Sequence, residues 1–378
     1  MASNTHILFA GGGTAGHLFP GLAVAQELTR DNPSFRISFA VTGKEWERDW
    51  VLRYGYEPVN MPAAPMPQQL NNVFKFFSDN WKGFREASRL VKDTNVSLVV
   101  GLGGYASVPA SRAAISLGVP LVLMEQNVIP GRATRWLARS AMQVCTSFAK
   151  SREHFGPGCQ IHVTGNPVRS DIAALSQQRM RTSQKENAAQ RRLLVLGGSS
   201  GSRSLNQAVP FALYHLRALL SGWTIVHQTG AEDAAKTADL YRKFALPAIV
   251  KPFIDNMAAT YQHTALAITR GGGTTLAELA CASVPALVLP LPHSADEHQQ
   301  ANAAAFAAAG ACQVFDSSKY TGRFDYDLAA ELSDLLVDRS QREHMASSMR
   351  QQARPLAAKT VAASVQSLLY QSQCRMAA

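Results

Sequence analysis

His6-Ile7-Leu8-Phe9-Ala10-Gly11-Gly12-Gly13-Thr14-Ala15-Gly16-His17 is the stretch on which the fold turns. The run 6–10 is short and apolar, and Gly11 follows it. From Pro20 to Arg30 the residues Leu22, Ala23, Gln26 and Leu28 then follow a helical period. That order predicts strand, glycine loop, helix. Half a chain later it recurs: Arg192–Leu196 leads into Gly197-Gly198-Ser199-Ser200-Gly201-Ser202 and a second helical stretch. Between the copies, 176–187 is polar and charged, as a surface loop or linker is. Further apolar runs at 36–41, 96–101, 121–124, 224–228, 248–250, 266–269 and 286–289 alternate with helical patterns, which predicts parallel sheets covered on both faces. The fold class is α/β, with two Rossmann-like domains facing across a cleft and ligands at the carboxyl ends of the strands.

The chain has 378 residues, enough for two domains, with 46% hydrophobic and 17% charged residues, a balance that supports full cores and argues against disorder. No apolar run reaches the roughly 20 residues that span a bilayer, and the N-terminus lacks the basic and apolar regions of a secretory signal, so a cytoplasmic location is expected. Five scattered cysteines without a Cys-x-x-Cys pair indicate neither a disulfide framework nor a zinc site. A net charge of +10 favours phosphate-rich ligands and anionic lipid over neutral partners. Nucleic acid is set aside because no helix-turn-helix or RNA-binding signature accompanies the charge.

Gly11, Gly13 and Gly16 fit G-x-G-x-x-G after a strand, which a dinucleotide site also uses. The acid that holds the ribose in such a site is missing from Phe39-Ala40-Val41-Thr42-Gly43, which weighs against a dehydrogenase. His17 follows the loop, where an imidazole acts as a general base or simply bonds its own loop. A third glycine loop, Arg270-Gly271-Gly272-Gly273-Thr274-Thr275-Leu276-Ala277-Glu278, again opens a helix, and its amides can cradle a diphosphate without metal. Glu278 is then either a ligand for a ribose diol or a first-turn acid that favours the helix dipole. The polar block from His293 to Asn302 reads as sugar recognition or as a solvated loop.

As a set these residues are more specific than any one of them. Gly11–His17, Gly101-Leu102-Gly103-Gly104-Tyr105-Ala106-Ser107, Glu125-Gln126-Asn127, Gly165-Asn166-Pro167-Val168-Arg169, Leu196–Ser202 and Arg270–Glu278, in this order, resemble the MurG family over nearly the whole chain. Its members are UDP-N-acetylglucosamine: N-acetylmuramyl-(pentapeptide) pyrophosphoryl-undecaprenol N-acetylglucosaminyltransferases. The resemblance implies a GT-B fold and inverting transfer of N-acetylglucosamine from UDP to lipid I, giving lipid II, with no metal and no cofactor. It implies an acceptor and membrane-associating domain over 1–165 and a UDP-N-acetylglucosamine domain over 166–354, with a helix over 355–378 packing back on the first. It further implies a peripheral position on the cytoplasmic face of the inner membrane, an anionic membrane surface as partner, and a cell-wall synthesis complex.

By the same resemblance Arg169 and the backbone at Ile254 are expected at the uracil, Glu278 at the ribose, and Ser200 with Gly273, Thr274 and Thr275 at the diphosphate. Gln299 and Asn302 are expected at the sugar, with His298 and Gln300 as neighbours competing for that role. Thr14, Ala15, Gly16 and Asn127 are expected to border the donor as well, and Gly104 and Tyr105 to meet the acceptor. His17 is the candidate base with Asn127 as its orienting partner, and Glu125 is the alternative base. Ala15 stands where the family pattern has glycine.

Two other classes compete: a UDP-N-acetylglucosamine 2-epimerase, which needs catalytic acids near the first glycine loop, and a non-catalytic sugar-nucleotide binder. The acids expected near that loop are Glu27 and Glu45. Finally, Leu70, Phe74, Phe77, Trp81 and Phe84 recur at helical spacing among Lys75, Lys82, Arg85 and Arg89, which predicts either a membrane-docking face or a face buried in the core.

Overall fold

His6–Ala10 forms strand β1, buried along its whole length because both faces of the sheet around it are covered. A computed structural model of the chain describes residues 5–67, 73–181, 191–198, 201–291, 297–315 and 323–377. Around β1 lie β2 (Arg36–Val41), β3 (Glu57–Asn60), β4 (Val96–Gly101), β5 (Leu121–Glu125), β6 (Gln143–Thr146) and β7 (Ile161–Val163). All pair in parallel, in the order β3-β2-β1-β4-β5-β6-β7. The order reverses between β1 and β4, so the loops that leave these two strands open side by side. In open α/β sheets that switch point is where ligands sit.

The second sheet repeats the plan with β8 (Arg191–Leu196), β9 (Trp223–Gln228), β10 (Ala248–Lys251), β11 (Thr264–Thr269), β12 (Ala286–Val288) and β13 (Cys312–Val314). Its parallel order is β10-β9-β8-β11-β12-β13, and the switch falls between β8 and β11. Both switch points are therefore flanked by the glycine loops of the sequence. The chain divides into one unit of Met1–Arg169 with Leu356–Ala378 and a second of Ser170–Pro355. The corresponding sequence boundaries were 165/166 and 354/355.

Helix α1 spans Ala15–Asp31 and so begins five residues before the expected Pro20. Thr14 caps it in an extended conformation, and its carbonyl accepts from the amides of His17 and Leu18. Proline interrupts one bond of the first turns without ending the helix. The last helix, α14 (Ala357–Ala377), packs on α1 within the first unit.

Helix α3 covers Val73–Asp93. Gly83, Ala87 and Val91 face inward, and a Cβ at Gly83 would lie 1.9 Å from the Pro62 carbonyl oxygen, an approach only glycine permits. Phe84 is half-buried against the core, whereas Phe74, Phe77 and Trp81 are 86%, 65% and 62% exposed. The aromatic series therefore splits, one ring in and three out. Leu70 lies outside the described residues.

Candidate functional site

The first glycine loop is held by a buried acid. Glu47, in the first turn of α2 (Glu45–Arg53), is fully buried and accepts the Gly13 amide on Oε1. Its Oε2 accepts the amide and the hydroxyl of Thr42, each at 2.8 Å. This corrects the expectation that Glu27 and Glu45 are the acids of this loop. Glu27 instead pairs with Arg30 on its own helix, and Glu45 is exposed. The end of β2 does receive a carboxylate, but from α2, and its bonds go to the Gly13 and Thr42 amides and the Thr42 hydroxyl.

Beyond Gly13, the Thr14 hydroxyl lies 3.1 Å from His17 Nδ1. The imidazole rests on the loop after β4: a Cβ at Gly103 would stand 3.3 Å from His17 Cδ2, and one at Gly104 would stand 3.2 Å from Cε1. Both glycines have positive φ, +93° and +70°, so backbone conformation and lack of side chain together let the ring settle there. A Cβ at Gly13 would lie 3.8 Å from the Tyr105 hydroxyl. Thr14, His17, Gly104 and Tyr105 are thus gathered at one switch point. Ala15 and Gly16, half-buried, form the first turn of α1 behind them.

Glu125, at the end of β5, is also buried and fully engaged. Oε1 accepts both the amide and the Nδ2 of Asn127 at 3.0 Å, and Oε2 accepts the Gly131 amide at 3.0 Å. It shapes the loop that presents Asn127. Ser151 adds a bond from its hydroxyl to the Asn127 carbonyl at 2.9 Å. Arg169 is buried in the first unit, its guanidinium 4.8 Å from the centre of the Phe19 ring.

In the second unit α10 (Gly273–Cys281) starts directly at the third glycine loop, so Gly273, Thr274 and Thr275 provide its first-turn amides. Glu278 is the sixth residue of this helix rather than a first-turn acid, it is buried, and its Oε2 accepts the Tyr261 hydroxyl at 3.0 Å. The dipole reading of Glu278 therefore gives way to a carboxylate held in place by a phenol.

Arg270 ties this loop to its neighbours: its guanidinium donates to the hydroxyls of Ser202 and Ser204 and, at 2.8 Å, to the Leu289 carbonyl. Asn302, fully buried, donates from Nδ2 to the Gly271 carbonyl at 3.0 Å. Gln299 Oε1 accepts the Leu291 amide at 3.0 Å, while His298 is half-buried and Gln300 exposed. The Ile254 amide donates to Gln228 Oε1 at 2.9 Å, and Gln228 Nε2 reaches the Gly198 carbonyl at 3.1 Å. Ser200 lies outside the described residues.

Beneath this surface His227 is buried between the Tyr241 hydroxyl and Asn206 Oδ1, and burial pushes its pKa down to about 3. Among the described residues no three His, Cys, Asp or Glu side chains gather as metal ligands do.

Residues 7–146 match the glycosyltransferase family 28 N-terminal domain, and residues 192–361 match the glycosyltransferase family 28 C-terminal domain. A UDP-N-acetylglucosamine--N-acetylmuramyl-(pentapeptide) pyrophosphoryl-undecaprenol N-acetylglucosamine transferase from Chlorobaculum tepidum is 36% identical, over 94% of this chain and 97% of the relative. The chain belongs to this transferase family. Within family 28 its fold is that of Acinetobacter baumannii MurG, whose crystal structure superposes with a TM-score of 0.72 at 29% identity, over 96% of this chain and 99% of that one. A UDP-GlcNAc 2-epimerase from Neisseria meningitidis, bound to UDP-GlcNAc, shares the fold alone, at 15% identity and a TM-score of 0.66 over 97% of this chain.

Proposed function

We infer that this chain transfers N-acetylglucosamine from UDP-N-acetylglucosamine to an N-acetylmuramyl-pentapeptide carried on pyrophosphoryl-undecaprenol, inverting the anomeric carbon and leaving a β-1,4-linked disaccharide on the lipid. The observation that carries the reading is the 36% identity, over 94% of the chain, to a transferase of that name.

Attack by the acceptor hydroxyl needs a base, and departure of UDP needs hydrogen-bond donors where charge grows on the diphosphate. The first unit supplies the base. The His17 imidazole, its Nδ1 3.1 Å from the Thr14 hydroxyl, is the base, and in the tautomer that donates Nδ1–H to that hydroxyl the basic lone pair is on Nε2. Asn127, fixed by Glu125, orients the acceptor beside Gly104 and Tyr105.

The second unit binds the donor. The first-turn amides of α10 meet the diphosphate, with the positive end of the helix dipole towards its charge. Glu278 takes the ribose diol. The backbone at Ile254, whose amide donates to Gln228 Oε1 at 2.9 Å, is the uracil contact within this unit. Gln299, half-buried, meets the sugar, whereas Asn302, fully buried, holds the third glycine loop through the Gly271 carbonyl instead of facing the ligand.

No described helix is long and apolar enough to cross a membrane. The acceptor lipid is met by docking: Phe74, Phe77 and Trp81 project from α3 among the exposed cations Lys75, Lys82, Arg85 and Arg89, a pattern that suits anionic lipid. Labelled UDP-N-acetylglucosamine incubated with a lipid I analogue tests the reading. A lipid-soluble labelled disaccharide is expected, whereas label recovered as UDP-N-acetylmannosamine assigns the chain to the epimerases.

A further inference from the structure

At both switch points a glycine loop opens into a helix, α1 after β1 and α10 after β11. In the first unit the Gly13 amide is already bonded to a carboxylate of the protein itself. We propose that Glu47 is a positioning residue for the acceptor side: an internal carboxylate that locks the first glycine loop at Gly13 and through the loop sets the Thr14–His17 pair. The proposal rests on the reading that this loop receives the acceptor.

Three donors converge on one fully buried carboxylate: the Gly13 amide, the Thr42 amide and the Thr42 hydroxyl. A buried charge persists only when it is bonded in this way. The contact is tight on the far side too, since a Cβ on Gly12 would stand 2.9 Å from Glu47 Oε1. Lys44 holds the same loop from outside, donating to the Gly13 carbonyl at 3.1 Å. The next residue, Thr14, caps α1 and carries the hydroxyl 3.1 Å from His17 Nδ1. A shift at Gly13 therefore displaces the hydroxyl that faces the imidazole Nδ1, although Glu47 is not the group that faces the ring.

The geometry also predicts which substitutions matter. Aspartate is one methylene too short to bridge Gly13 and Thr42. Glutamine matches the shape, but its NH2 group must face one of the amide donors. Alanine at Gly12 leaves Glu47 in the sequence and pushes its carboxylate off the loop.

Glu47→Gln and Gly12→Ala are compared with wild type by hydrogen exchange of the 10–18 peptide, by calorimetric titration of UDP-N-acetylglucosamine, and by steady-state kinetics on a lipid-linked acceptor analogue. Both variants are expected to exchange faster at this peptide and to lose roughly 10-fold to 100-fold in kcat/KM for the acceptor, the scale of a misplaced catalytic group, with donor Kd within about twofold. The proposal is overturned if acceptor kinetics stay within about twofold in both variants, or if donor and acceptor constants fall together with the folded fraction. Should Glu47→Gln fail to fold, Gly12→Ala carries the test alone. If wild type makes no product from the acceptor, the function reading fails; the lock is then judged by exchange, and unchanged exchange in the variants overturns it.

Discussion

Glu278 and Glu47 are both buried acids beside glycine loops, yet only the first was legible in the sequence. Glu278 stands at a fixed offset from a glycine cluster, so the motif points to it. Glu47 is one of three acids alternating in Glu45-Trp46-Glu47-Arg48-Asp49, and only the packing of α2 on β2 selects the one that turns inward. Replacing Glu278 by Ala is expected to weaken donor binding by about 1–3 kcal/mol, the range for a lost bond to a charged group. Calorimetry within twofold of wild type would remove Glu278 from the ribose. His17→Ala should lower turnover by roughly 10²–10⁴-fold with donor affinity intact if the imidazole is the base. A variant that melts earlier but turns over normally per folded molecule would instead mark a structural histidine. His227 gives a pH prediction. Its folded pKa, about 3, lies below the unfolded value of 6.5, so between these limits only the unfolded chain binds the proton, and stability is present above pH 6.5 and lost as pH falls. From this group alone the loss by pH 5.5 is about 1.4 kcal/mol, and urea titrations of wild type against His227→Gln should differ by that slope.

Among the elements, the central strands could be read directly because strands buried on both faces are continuous apolar runs. The short strands β3, β6, β7 and β13 could not: each has three or four residues, β3 contains Pro58, and β6 begins with a glutamine. Periodicity alone found α3 but could not say which aromatics face out, because its glycine and alanine stripe, not its aromatic one, is what packs inward. That division makes the docking proposal testable. Phe77 and Trp81 are 65% and 62% exposed, so changing both to Ser is expected to leave stability within about 1 kcal/mol, the usual range for two surface changes. The variant should no longer sediment with anionic liposomes, while turnover of a short-chain, water-soluble acceptor persists. Sedimentation at the wild-type level would move the docking surface elsewhere.

For the whole molecule, the repeat of strand, glycine loop and helix announced two similar units, and each sheet indeed reverses its order between the strands that carry those loops. The substrates were not readable from this plan, since a UDP-GlcNAc 2-epimerase shares the fold at 15% identity. They follow from the family to which the chain belongs. The most direct measurement is of the product itself: purified protein, UDP-N-acetylglucosamine and a lipid I analogue are incubated in excess EDTA, UDP release is followed, and the lipid product is examined by proton NMR. The account predicts one disaccharide-lipid per UDP released, with the large anomeric coupling of a β linkage and a rate unaffected by the chelator. UDP released without lipid product, an α linkage, or a rate abolished by EDTA would contradict it.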